Sequence, residues 1–224
     1  MKMWSQLQNW IGLILILGFF IYPNSRYVFV FLALWILTST TMTALFLKAR
    51  FTIANFVTFS RALGLAICSF ILAYNESISP LLLFLLGICL LADALDGYLA
   101  RRFTSSLSGG ILDGETDQQF VFFTATACYL FIHASFWLLL FPALKYISEI
   151  ISNFSNLKIV ENIGEKRRKF VAAIVMSILF INLTSLMDRE TSVLVTSLGF
   201  VLLLYSFSID IIRSFIKKIS TKYD

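Results

Sequence analysis

A chain of 224 residues carries thirteen acidic side chains, and five of them fall between Asp93 and Asp117. Asp93 and Asp96 stand three apart and Asp113 and Asp117 four apart, so on helices each pair lies on one face. The polar stretch Phe103 to Ser108 turns one helix antiparallel to the next and brings both pairs to one level. Carboxylates gathered in a low-dielectric place do not all stay ionised without a compensating cation. Oxygen donors with no histidine among them point to a hard divalent ion, Mg²⁺ or Mn²⁺, rather than zinc. Two such ions, held by this set, polarise a pyrophosphate and stabilise the attacking and leaving oxygens of a displacement. Glu115, offset by two from Asp113, points elsewhere on the helix.

Around the aspartates lies a longer pattern. Asp93-x2-Asp96-Gly97-x2-Ala100-Arg101 is followed by Gly109-x3-Asp113-x3-Asp117. The string resembles the signature of the CDP-alcohol phosphotransferases at eight positions, in type and in order. The turn from Arg101 to Gly109 is one residue shorter than in that pattern, while the aspartate spacings are intact. The resemblance covers about residues 52–218 and implies that Asp93, Asp96 and Asp113 bind metal. Asp117 would be the general base or share a metal. The same resemblance places a CDP-linked donor against Asp93, Asp96, Gly97, Ala100, Arg101 and Gly109. Gly97 and Ala100 are small enough to let a cytidine and its phosphates approach the backbone, and Arg101 offers a fixed cation with several donors.

Two further groups flank this motif. Asn55, Thr58 and Arg61 recur every third residue on one helix face and are similar to the N-x2-T-x2-R element that lies beside the site in the same family, with Asn55 and Arg61 expected toward the acceptor or lipid. The competing reading is an interfacial helix start with a snorkelling arginine. Downstream, Gly164 to Lys169 reads equally as a positive-inside anchor or, by the same resemblance, as a patch in which Arg167 and Arg168 hold a phosphorylated acceptor. His133 is expected at the outer membrane edge, far from the aspartates.

The elements that must position these residues are apolar helices. The sequence is 58% apolar, with 23 Phe and 14% charged residues, and its mean hydropathy is +0.84. A soluble domain has no use for so much apolar surface, whereas about 20 apolar residues cross a bilayer. Eight runs fit, at roughly 10–22, 27–47, 53–74, 79–99, 109–132, 135–152, 170–187 and 191–216. The first is short enough for a signal peptide, but no Ala-x-Ala pattern follows and the second begins at once, so both read as retained helices. The expectation is an all-α polytopic membrane protein: two N-terminal transmembrane helices over 1–51, a six-helix core over 52–218 and a cytoplasmic tail over 219–224. With the N-terminus inside, all but Arg26 and Arg189 of the eighteen basic residues fall on the cytoplasmic side, as the positive-inside rule requires. The net charge of +5 thus reads as topology signal and lipid contact, and nucleic acid is not expected as a partner. Cys68, Cys89 and Cys128 lie inside apolar runs without metal or redox spacing and read as small hydrophobes.

Residues and resemblance together imply a membrane-embedded phosphotransferase of phospholipid biosynthesis, at the cytoplasmic face of a bacterial inner membrane. It would pass a phosphatidyl or other phospho-alcohol group from a CDP-linked donor, CDP-diacylglycerol by preference, to a small alcohol, releasing CMP. A homodimer is compatible with this reading. The segment after Asp113 lacks the Pro-x-Ala-Asp-Lys continuation associated with glycerophosphate-using members, so the acceptor stays open. Two rivals differ in class: a divalent-cation transporter, which needs carboxylates on several helices near the membrane middle, and a non-catalytic relative, which would have lost an aspartate.

Overall fold

The computed structural model describes residues 2–46, 52–102, 107–132, 136–154, 165–184 and 186–223. Among them the chain forms eight α-helices and no strand: α1 Lys2–Ile21, α2 Ser25–Phe46, α3 Ile53–Asn75, α4 Pro80–Arg102, α5 Leu107–Phe131, α6 Leu140–Phe154, α7 Glu165–Leu183 and α8 Arg189–Tyr223. A short 3-10 segment, Phe136–Leu139, leads into α6, so the expected run over 135–152 is two pieces. Pro142 lies in the first turn of α6, where its missing N–H costs no intrahelical bond.

Ser25–Phe46, Asn55–Asn75 and Arg189–Ile209 are long and apolar enough to cross a membrane, and Leu7–Ile21, Pro80–Asp93 and Trp137–Ser148 are shorter apolar helices. A helix satisfies all its backbone polar groups within itself, which is why an apolar chain in lipid takes this form.

The helices start and stop where local chemistry directs. Thr52 caps α3, its hydroxyl oxygen accepting from the Asn55 N–H at 3.2 Å. Glu76 ends α3 in the left-handed conformation, φ 50°, with its N–H returned to Leu72 O at 2.9 Å. Ser79 then caps α4 through the Leu82 N–H at 3.2 Å.

The centre of the bundle is α5, which packs against α2, α3, α6 and α7. Residues 118–128 of α5 are buried on every side, the mark of a helix enclosed by others rather than one with a single apolar face. Phe29 of α2 meets Phe123 edge-on at 5.6 Å, and Phe19 of α1 lies 5.8 Å from Phe122. Association within a bilayer rests on close packing and buried polar ties, because lipid tails are as apolar as leucine. Both are present. A Cβ at Gly64 of α3 would lie 2.8 Å from Cys89 Sγ of α4, and one at Gly12 of α1 would lie 2.5 Å from the Tyr146 ring of α6. Gln8 of α1 donates to Ser39 Oγ at 2.7 Å and Thr43 Oγ1 at 2.9 Å on α2. Cys68, Cys89 and Cys128 are free and buried, as expected of small hydrophobes. His133 lies outside the described residues.

Candidate active site

The N-terminal turns of α3, the C-terminal part of α4 and the first turns of α5 meet at one end of the bundle. Asp93 comes from α4, and Asp113 and Asp117 from α5. One carboxylate oxygen from each lies within 4.8 Å of the others. The four-residue spacing in α5 and the antiparallel approach of α4 are sufficient to bring them together.

Arg61 of α3 stands among these carboxylates. Its Nη1 lies 2.9 Å from Asp93 Oδ1 and 3.0 Å from Asp113 Oδ1, and its Nη2 lies 2.8 Å from Asp117 Oδ1. Nη1 stands between two different carboxylates while Nη2 reaches a third, a division that the planar fork permits and a lysine cannot copy. The Arg61 side chain is 2% exposed, whereas those of Asp93, Asp113 and Asp117 are 23%, 30% and 26% exposed. The cation is therefore sealed inside while the carboxylates open outward. Such a burial is tolerated because all three carboxylates pair with it closely, Asp113 and Asp117 through charge-assisted hydrogen bonds and Asp93 as an ion pair. Asn55 and Thr58 are buried on the same face of α3, about two turns and one turn before Arg61.

The donor set fits a hard divalent cation. It is made of oxygen, it is half-open, and three negative charges face one positive guanidinium, leaving an excess that a divalent ion balances. Asp93, Asp113 and Asp117 are the residues that would hold it. A Cβ added at Gly110 or Gly114 of α5 would meet nothing within 4 Å among the described residues.

Of the other residues expected here, Gly109 lies in the first turn of α5, and Asp96, Gly97, Ala100 and Arg101 lie on the last turns of α4; the side chains of those four are outside the described residues. Arg167 and Arg168 are half-buried in the first turn of α7, where Arg167 Nη2 donates to Ser206 O of α8 at 3.2 Å. Glu115 turns away from the aspartates, with its Oε1 3.8 Å from Lys145 Nζ.

Three residues escaped the sequence reading. Lys145 of α6 donates to Gly114 O at 2.9 Å, between Asp113 and Asp117; a single lysine inside an apolar run was the available signal. Gln118 donates to Pro142 O of α6 at 2.7 Å, and Gln119 bonds Thr40 of α2 at 3.1 Å. Consecutive helical residues point about 100° apart, so Asp117, Gln118 and Gln119 tie α5 to α3, α6 and α2 in turn.

Neither a curated protein nor a solved structure matches the chain. The family model described as CDP-alcohol phosphatidyltransferase matches residues 51–209, a segment that contains Arg61 and the whole aspartate motif. By that match, the chain belongs to the CDP-alcohol phosphatidyltransferase family.

Proposed function

We propose that the chain transfers a phosphatidyl group from CDP-diacylglycerol to the hydroxyl of a small alcohol and releases CMP. The observation that carries this reading is the convergence of Asp93, Asp113 and Asp117 on one side of a buried Arg61, in a membrane-embedded chain of this family.

In this reading Asp117 takes the proton of the acceptor hydroxyl as its oxygen attacks the phosphorus that bears the diacylglycerol. The new P–O bond forms as the bond to the CMP oxygen breaks. Two Mg²⁺ or Mn²⁺ ions, when bound, neutralise the diphosphate and stabilise charge on the leaving oxygen. Asp93, Asp96 and Asp113 would bind them. Gly97, Ala100, Arg101 and Gly109 would hold the cytidine and diphosphate, with Asn55, Arg167 and Arg168 toward the acceptor. Arg61 fixes the spacing of three carboxylates, so that positioning is complete before substrate arrives.

The reading assigns α1 and α2 to an addition preceding a six-helix core at 52–218. It places the site at the cytoplasmic face of a bacterial inner membrane, where CMP meets water and the product meets lipid. The deciding experiment incubates purified protein with CDP-diacylglycerol, Mg²⁺ or Mn²⁺ and a panel of alcohols, scoring CMP and lipid product. Metal-dependent CMP release with one acceptor supports it; absence of release with every acceptor and with soluble CDP-alcohols refutes it.

A further inference from the structure

Helices α1 and α2 precede the segment that matches the family, residues 51–209, yet α2 is bonded to the helix that carries two of the aspartates. Thr40 Oγ1 of α2 lies 3.1 Å from both Nε2 and Oε1 of Gln119 on α5 and 2.8 Å from its own-helix carbonyl, Ile36 O. Thr40 is 1% exposed and Gln119 2%, so neither group has water as a substitute partner.

We infer that Thr40 and Gln119 form a positioning link through which α2 fixes the rotation of α5 and thereby the placement of Asp113 and Asp117. The inference rests on the proposed metal-dependent site. Gln119 follows Asp117 by two residues, hence about 200° around the helix. The Arg61 tie and the Thr40 tie thus grip α5 from roughly opposite sides, and a rotation that relaxes one strains the other. A carboxylate about 6 Å from the helix axis moves by about 1 Å for a rotation of about 10°. Metal ligands need placement to within about 0.2 Å. Close packing restrains this rotation, and the buried amide–hydroxyl contact adds a directional constraint to it.

Helix α1 adds to the same device. Gln8 holds Ser39 and Thr43, which flank Thr40. Gly12 admits the Tyr146 ring of α6, and the neighbouring Lys145 bonds Gly114 O within the aspartate turn.

The test uses the full chain in detergent, with Mn²⁺ binding followed by electron paramagnetic resonance and unfolding measured in chelator. Thr40→Val removes the hydroxyl and keeps the shape; Gln119→Met breaks the link from the other side. Each is expected to weaken Mn²⁺ binding about tenfold, the lower end for groups that orient metal ligands. Thr40→Ser should restore binding to within about twofold of wild type, a hydroxyl being all the link requires. Thr41→Val, on the exposed face with its hydroxyl bonded to Leu37 O at 2.7 Å, should change nothing. Wild-type Mn²⁺ affinity in both link variants, even with lowered thermal stability, overturns the inference, as does an equal loss in Thr41→Val. If the wild-type chain itself binds no Mn²⁺, the functional reading fails and takes this inference with it.

Discussion

Arg61 Nη2 stands 2.8 Å from Asp117 Oδ1, and through its other amino group the same guanidinium holds Asp93 and Asp113. A buried cation that serves three carboxylates is a counterion supplied by the fold. Removing it leaves like charges facing one another.

Arg61→Gln should therefore destabilise the protein most when metal is absent. Breaking a buried pair costs about 3–5 kcal/mol; with carboxylates about a quarter exposed, solvent screening lowers the expectation to roughly 1–3 kcal/mol. Mn²⁺ should recover much of the loss by taking over the charge balance. Melting in chelator and in Mn²⁺ checks this: an equal deficit in both conditions counts against a counterion role.

Asp93→Asn, Asp96→Asn and Asp113→Asn should each reduce CMP release by factors on the order of 10² to 10⁴ while the protein still inserts. Chelation should reproduce the loss reversibly. If all three variants keep more than about a tenth of the wild-type rate against those factors, these aspartates are not the metal ligands.

Asp117→Asn separates base from ligand. A general base acts in the transition state, so turnover at saturating substrate should fall by on the order of 10² or more while donor affinity changes little. The assay pairs kcat with CDP-lipid binding; lost affinity with intact turnover would make Asp117 a binding residue.

Gly64 sets the distance between the helices that carry Arg61 and Asp93. A methyl there would lie 2.8 Å from Cys89 Sγ, and overpacking of this kind costs about 1–3 kcal/mol. Gly64→Ala should lower both the melting temperature and activity, and adding Cys89→Ala should restore both. Failure of the second substitution to rescue would show that the Gly64 contact does not control the spacing.

The helices were legible because apolar runs in lipid have few alternatives. The run read over 27–47 is the helix Ser25–Phe46, and that read over 53–74 is Ile53–Asn75. Ends were less so where polar residues belong to helices. The apolar run begins only at Trp10, yet α1 begins at Lys2, because Gln8 bonds α2 instead of water. The closeness of Asp93, Asp113 and Asp117 followed from spacing and one antiparallel turn. Arg61 among them did not, since it is 52 residues from Asp113 and a three-residue rhythm on its own helix names no partner across the bundle. Gln119 was hidden for the same reason: a glutamine beside an aspartate looks like ordinary polarity until α2 arrives.

The successive ties of Asp117, Gln118 and Gln119 to three neighbouring helices bear on the shortened link between Arg101 and Gly109. A helix oriented only by the chain entering it would turn by about 100° for each residue deleted upstream, carrying its side chains off their targets. Because α5 takes its orientation from α2, α3 and α6, the link need only span the gap. A link one residue longer would then leave Asp113 and Asp117 on the same partners.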